Sequence, residues 1–343
     1  MIDAGRYTSG PIAVANLSAL IESLELRRAE SATFENLEAL SKVLFLRGDL
    51  FGRIVDHDRA EEVAKEAIAL SGAARALYIH ARLSGRFHRF QEAEALLDRA
   101  LTAGHPRHEI DIERAALLQA TGRYEDALVL REKLAKGDPG IHTLGALASL
   151  LAEMGQWVAA ETSYAAALDA DNGVSPLPCS QVLFEWGVSA MRRGELDRAE
   201  AIFVELEAIL PAHVPGRGHR AEVALARGKL DFAMKLVAPL LEISDDPEYR
   251  VTYAEILAAY RDSKAAVQAD RAAVAYEQLL ARRPEAYADH AAAFFMGVGN
   301  RPERAVELAL ANWKLRSTPR SLRLLTNALR KAQQVLAFEE NAA

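Results

Sequence analysis

The 343-residue sequence has one cysteine, few aromatic residues (7%), and no continuous apolar stretch. Each shortage excludes a class of protein. A lone Cys179 cannot close an internal disulfide, which removes disulfide-framework folds and favours a reducing compartment. Val and Ile together number 32 against 66 Ala and 46 Leu, a balance that favours helix over sheet. Basic residues are not in excess: 41 Lys and Arg face 48 Asp and Glu, for a net charge of -7. That mixture argues against a nucleic-acid-coating surface and against disorder. Nothing approaches the roughly 18 consecutive apolar residues that cross a bilayer, so no membrane insertion is expected. Residues 1–13 lack a basic segment followed by an apolar one and do not read as a secretory leader. The expected location is cytoplasmic, with the periplasm as the alternative for a chain whose leader has been removed.

The sequence is dominated by a repeat. A turn glycine, an aromatic or Leu, and then Ala recur at Gly122-Arg123-Tyr124-Glu125-Asp126-Ala127, Gly155-Gln156-Trp157-Val158-Ala159-Ala160, Gly194-Glu195-Leu196-Asp197-Arg198-Ala199 and Gly228-Lys229-Leu230-Asp231-Phe232-Ala233. In most copies apolar residues follow four and seven positions after the alanine. The register extends to Ala60, Ala93, Ala127, Ala160, Ala199, Ala233, Ala273 and Ala305, at intervals of 33, 34, 33, 39, 34, 40 and 32. Twelve residues upstream stands a second small residue: Gly48, Ala81, Ala115, Ala148, Gly187, Ala221 and Ala293. The copy at Ala273 departs, with Arg261 in that place. Two antiparallel helices joined by a tight turn approach closely where both present small side chains, so the paired small residues predict the contact within each helix pair.

These residues resemble the tetratricopeptide repeats. The match is carried by Leu144, Leu147, Ala148, Leu151, Gly155, Trp157, Ala160, Tyr164, Ala167 and Leu168, and again by Leu183, Trp186, Gly187, Gly194, Leu196, Ala199, Phe203 and Pro211. The resemblance covers about residues 41–318 and implies an all-α fold: a right-handed α-solenoid of about eight helix pairs with terminal capping helices. Residues 1–40 are read as an N-terminal segment with a capping helix on Leu17, Leu20, Ile21 and Leu24. Residues 319–343 are read as a C-terminal capping helix and tail on Leu322, Leu325, Leu329 and Ala332. Two long intervals interrupt the array. The Gly- and Pro-rich stretch at about 171–179 predicts an inserted loop containing Cys179, and the Ala-rich stretch from 261 to 270 predicts a lengthened helix ahead of degenerate repeats after about 245.

Motifs for catalysis or cofactor binding are missing. His105-Pro106-Arg107-His108, with His80 or His88, supplies too few ligands for a zinc site. Asp169 to Gly173 has its glycine too early for a calcium loop, and Gly216-Arg217-Gly218 and Gly297-Val298-Gly299 lack the third glycine of a dinucleotide fingerprint. No catalytic residue, metal site or cofactor is expected. What remains is the concave face formed by the first helices. There the helix phase places Tyr78, Arg82, Glu113, Gln119, Ser149, Glu153, Gln181, Phe184, Val188, Met191, Arg192, His219 and Glu222 as partner-contacting residues. Phe184, Val188 and Met191 form its apolar centre, rimmed by Gln181, Glu185 and Arg192. The carboxylate clamp of chaperone-binding relatives is not reproduced: Lys42 matches, but Asp49, Ile112 and Ala116 do not. The function expected from the resemblance is a non-catalytic adaptor that binds another protein or a peptide segment and no nucleic acid. A peptide- or small-ligand-sensing regulator is the alternative, and metal handling by the loop histidines is a third reading.

Overall fold

Alanine and leucine at helical spacing produce nineteen α-helices, and no strand, among the described residues. The structure is a computed structural model and describes residues 4–342, with side chains from 5 to 335. Helix α1 (Gly10–Glu30) precedes eight antiparallel pairs. They are α2 (Phe34–Phe51) with α3 (Ile54–Leu70), α4 (Ala74–Arg86) with α5 (Phe90–Thr102), α6 (Arg107–Ala120) with α7 (Tyr124–Gly137), and α8 (Ile141–Glu153) with α9 (Trp157–Asp169). There follow α10 (Pro176–Arg192) with α11 (Leu196–Ile209), and α12 (Val214–Ala226) with α13 (Leu230–Val237) and the one-turn α14 (Leu240–Ile243). The last two are α15 (Pro247–Ala259) with α16 (Lys264–Arg282) and α17 (Pro284–Met296) with α18 (Pro302–Leu315), after which α19 (Pro319–Ala342) ends the array. Proline opens several first helices, at Pro176, Pro247 and Pro284, where its missing N–H has no partner to lose.

The small-residue contact lies where the spacing puts it in the central copies, whereas in α17 the expected Ala293 is exposed and Ala291 and Ala292 are buried instead. Ala115, Ala148 and Ala221 on first helices and Ala127, Ala199 and Ala233 on second helices have no exposed surface. At Gly187 a Cβ would fall 2.5 Å from Cε1 of Phe203, so this glycine is required by close approach. The exception at Arg261 has a physical cause. The fully buried small residue of α15 is Ala254, and α16 runs for 19 residues, which displaces its seam contact along the chain. Arg261 itself sits in the α15–α16 turn with φ 59. Two boundaries also differ from the sequence expectation. The first pair begins at Phe34, before residue 41. The inserted loop ends at Ser175, because the Ser175 hydroxyl accepts from Leu177 N and Pro176 starts α10. Cys179 therefore lies inside a helix, fully buried, and is not a loop thiol.

The superhelix closes on itself. Ile54 N and Val55 N donate to the Asp245 carboxylate at 2.6 and 3.0 Å across 191 and 190 residues of sequence. His88 Nδ1 donates to Glu285 O at 2.9 Å across 197, and Arg316 Nε to Ala120 O at 3.2 Å across 196. In each case the turn within one pair meets the start of the element six pairs later: the first pair touches α15, the second α17, the third α19. One superhelical turn thus takes six pairs, and the last pairs are seated on the edge of the first. Arg283 completes this edge by pairing with Asp58 and Glu61 of α3, with Arg282 also 2.8 Å from Asp58, and by lying 4.1 Å over the Phe87 ring.

Two turn glycines separate local from closing geometry. Gly122 (φ +86) and Gly194 (φ +79) both need the left-handed region, but a Cβ on Gly122 would lie 2.5 Å from Ser317 O, while Gly194 has nothing within 4 Å. Gly194→Ala is expected to cost about 1–2 kcal/mol from backbone conformation alone. Gly122→Ala should cost more than that in a urea titration and should also enlarge the radius of gyration by small-angle scattering; equal costs and unchanged radii would remove the closing contact.

Burial alone would raise the carboxyls of Asp58 and Glu61, yet hydrogen bonds from Arg283 with Arg282 and from Lys65 with Arg283, respectively, hold both below their ordinary values of 3.8 and 4.5. A depressed folded-state value gives stability that is complete above those figures and lost as the pH falls through the lower folded ones. Arg283→Ala should destabilise by roughly 3 kcal/mol at pH 7, and the difference from wild type should shrink once the pH drops below 3.8. Denaturation midpoints at several pH values would show it.

Candidate functional site: the superhelix lumen

The first helix of each pair faces inward, and closure turns the expected open groove into a lumen. Its polar wall is largely self-paired. Arg82 Nε lies 2.8 Å from Glu113 Oε1, which also accepts from the Tyr78 hydroxyl at 3.4 Å. Gln119 donates to Ser149 at 3.4 Å and Gln181 to Glu185 at 3.1 Å. Further round, His219 Nδ1 meets Glu222 at 2.9 Å, and Thr252 donates to the other Glu222 oxygen at 3.5 Å. Tyr78 itself is buried under the His105 ring at 4.2 Å.

The lumen holds two adjoining cavities. One, of about 660 Å³, is lined by Lys42, Phe45, Asp49, Arg82, Arg86 and Glu113. The other, of about 410 Å³, is lined by Gln119, Arg131, Ser149, Glu153, Gln181 and Glu185, with Arg316 of the C-terminal cap at its rim. Ala116 and Ala120 border both. The structure therefore brings Gln119, Ser149, Glu153 and Gln181 to one cavity and Arg82 with Glu113 to the next. The apolar trio lies elsewhere. Val188 is buried, Met191 packs against the core beside it, and half-buried Phe184 packs at a tilt against His213 at 5.2 Å and stacks on His219 at 5.5 Å. Arg192 stays exposed to the lumen, where partial desolvation lowers its guanidinium pKa and nearby Arg320 adds to that effect.

Arg131 was not anticipated, because it belongs to a second helix. It is the fourth residue after Ala127, the place held by Leu97, Tyr164, Phe203 and Val237 in other copies, all of them core residues. A guanidinium at a core position is the signal in the sequence. It is only 9% exposed, its Nε has no hydrogen-bond partner, and burial pushes its pKa down, with Glu113 opposing. Across the cavity, burial followed by the charge of Arg192 and Glu153 acts on Glu185, with a net upward shift. A buried cation with an unsatisfied Nε thus shares one small volume with Glu185, held by Gln181, and Glu153, hydrogen-bonded to Tyr124, and low effective dielectric there strengthens any charged contact they make.

The histidines of the sequence motif do not converge: His105 pairs with Glu109, His80 faces Glu92, and His88 bonds to Glu285 O. His108 is exposed.

No family model matches the chain, and no curated protein matches it. Solved structures do. A tetratricopeptide repeat protein from Parabacteroides merdae aligns at 23% identity over 71% of this chain and 93% of that one, with a TM-score of 0.47. Cut9 in the APC/C hetero-tetramer Cut9-Hcn1 aligns at 14% identity over 90% of this chain, with a TM-score of 0.53, and this chain spans 58% of that one. Yeast Tom70 aligns at 15% identity over 84% and 64% of the two chains, with a TM-score of 0.49. The chain has the tetratricopeptide-repeat fold. At these identities the likeness is one of fold, and within that fold the enclosed tetratricopeptide lumen is the feature on which chemistry can be argued.

One carboxyl on the lumen wall makes a direct stability test. Burial, then the charge of Glu222, pushes Glu255 up to about 7. A raised folded-state value means the folded protein loses stability as the pH climbs from the ordinary 4.5 towards 7. Glu255→Gln, which mimics the neutral acid, should stabilise the protein at pH 8 by about 1–3 kcal/mol and leave it unchanged near pH 4, where wild type is protonated in both states. Thermal or urea unfolding of the two proteins at both pH values checks the sign.

Proposed function

We propose that the chain is a non-catalytic scaffold, working in the cytoplasm, that takes a segment of a partner protein into its lumen. The observation that carries this reading is Arg131, buried beside the 410 Å³ cavity with its Nε unsatisfied and with Glu153 and Glu185 on the same wall. A buried cation without a committed partner costs stability in the free protein, and a segment bringing a carboxylate would offset that cost. The neighbouring carboxylates suit a basic group a few ångströms along the same segment. The Cut9-Hcn1 structure supports a scaffold role to the extent that its repeat protein sits in a hetero-tetramer.

A second reading has its own observation. Closure leaves cavities of 410 and 660 Å³, the size range of small-molecule sites, so a small zwitterionic ligand or short peptide that gates the superhelix is the alternative.

A photo-crosslinking residue at Gln181, on the lumen wall, and another at Val158, 83% exposed on a second helix, separate these readings in living cells. A protein adduct formed from Gln181 at several times the yield from Val158, and reduced by Arg131→Met, is the expected result. Adducts from Val158 alone would overturn lumen binding of a protein. Adducts from neither, with a melting temperature raised by a small zwitterion, would favour the second reading.

A further inference from the structure

Opposite the two cavities, the lumen wall of the last three pairs carries a different chemistry. We propose that His219, Glu222 and Glu248 form a binding site for one divalent transition-metal ion of the zinc type, joining α12 and α15. One donor atom from each of His219, Glu222 and Glu248 lies within 4.8 Å of the other two. His290 of α17 stands beside this group, with Nδ1 3.6 Å from Glu248 Oε2. One imidazole and two carboxylates supply three of the donors that zinc accepts in four-coordinate sites, and a water completes the four.

The surroundings orient these donors. The His219 ring stacks on Phe184 and Phe203 at 5.5 and 6.2 Å, which fixes its plane with Nδ1 towards Glu222. Glu222 is held from behind by the Thr252 hydroxyl. With Nδ1 of His290 towards Glu248, its Nε2 faces Asp289 at 3.9 Å, and Asp289 is anchored in turn by Arg316 at 3.5 Å. His290 is thereby fixed beside Glu248. Simple ion pairing between His219 and Glu222 gives no reason for Glu248 of the next first helix to aim at the same point. Arg320 of α19 also acts on Glu248 and lowers the affinity that three bare ligands would have.

The full chain, purified without a tag and stripped with a chelator, is titrated with Zn²⁺ by calorimetry and with Co²⁺ by absorption. The expected result is one equivalent per chain, a melting temperature that rises with Zn²⁺, and an intense four-coordinate Co²⁺ spectrum. His219→Gln and Glu248→Gln should each weaken binding at least tenfold, while His105→Gln, at a histidine outside the cluster, binds as wild type does. No saturable binding by wild type, or undiminished binding in both cluster variants, overturns the site and leaves these residues as ion pairs only. Should either variant lose its helical signal, the wild-type Co²⁺ spectrum decides: a weak six-coordinate spectrum overturns the proposal.

Discussion

The distance between paired helices at their small-residue seam is the constraint on which the rest of this structure depends. Ala115 with Ala127, Ala148 with Ala160, and Gly187 with Ala199 let backbones approach where larger side chains would hold them apart. Because the seam recurs about every 34 residues, each pair is rotated against the next by a similar angle, and the angles add. After six pairs the sum is a full turn. Gly52 O, the His88 side chain and Ala120 O then meet Ser244, Glu285 O and Arg316 at the starts of the elements six pairs on. Polar backbone that an open solenoid would leave to water is satisfied by the next superhelical turn.

Closure changes what the inward face can do. An open concave surface takes a partner from the side, whereas a lumen admits it along the axis and desolvates what it admits. That is why charge matters more here than the apolar trio at Phe184, Val188 and Met191. Those side chains are engaged with the core and with His213 and His219, and the charged groups at the 410 Å³ cavity are Arg131, Glu153, Glu185 and Arg316.

The local half of this architecture was legible in the sequence because it is written in short-range spacing. The central seam alanines, the turn glycines, the existence of the terminal helices, and the long helix that carries Ala273 follow from periodicity and breakers; the terminal stripes do so only in part, because Leu20, Leu322 and Leu329 are exposed and α19 buries Ser321 and Ala328 instead. Closure was not legible, since it depends on small inter-pair angles that no single residue encodes. The only marks it leaves are scattered ones, such as Asp245 or Arg283, that look like ordinary surface charges until position 54 or 61 lies beside them. The Arg131 signal was present, an arginine in the register of Leu97, Tyr164 and Phe203, but it stood on a helix assigned to the convex side. Cys179 was placed in a loop because Pro176 and Pro178 read as breakers. At the start of a helix proline is favourable instead, and the Ser175 cap makes it so.

The two chemistries of the lumen occupy different arcs of the wall, and one residue touches both. The cavities lie between α2 and α10, on the turn that the later pairs cover; the histidine–carboxylate cluster lies on α12 and α15, with His290 of α17 beside it, in the pairs that do the covering. Arg316, just before α19, donates to Ala120 O at the end of α6, pairs with Asp289 on α17, and lines the 410 Å³ cavity. Any shift in how the last pairs sit on the first must move Arg316 relative to Arg131. The Arg316 guanidinium is therefore a contact shared by the cavity and the covering pairs, beside the Asp245, His88 and Arg283 contacts along the same edge.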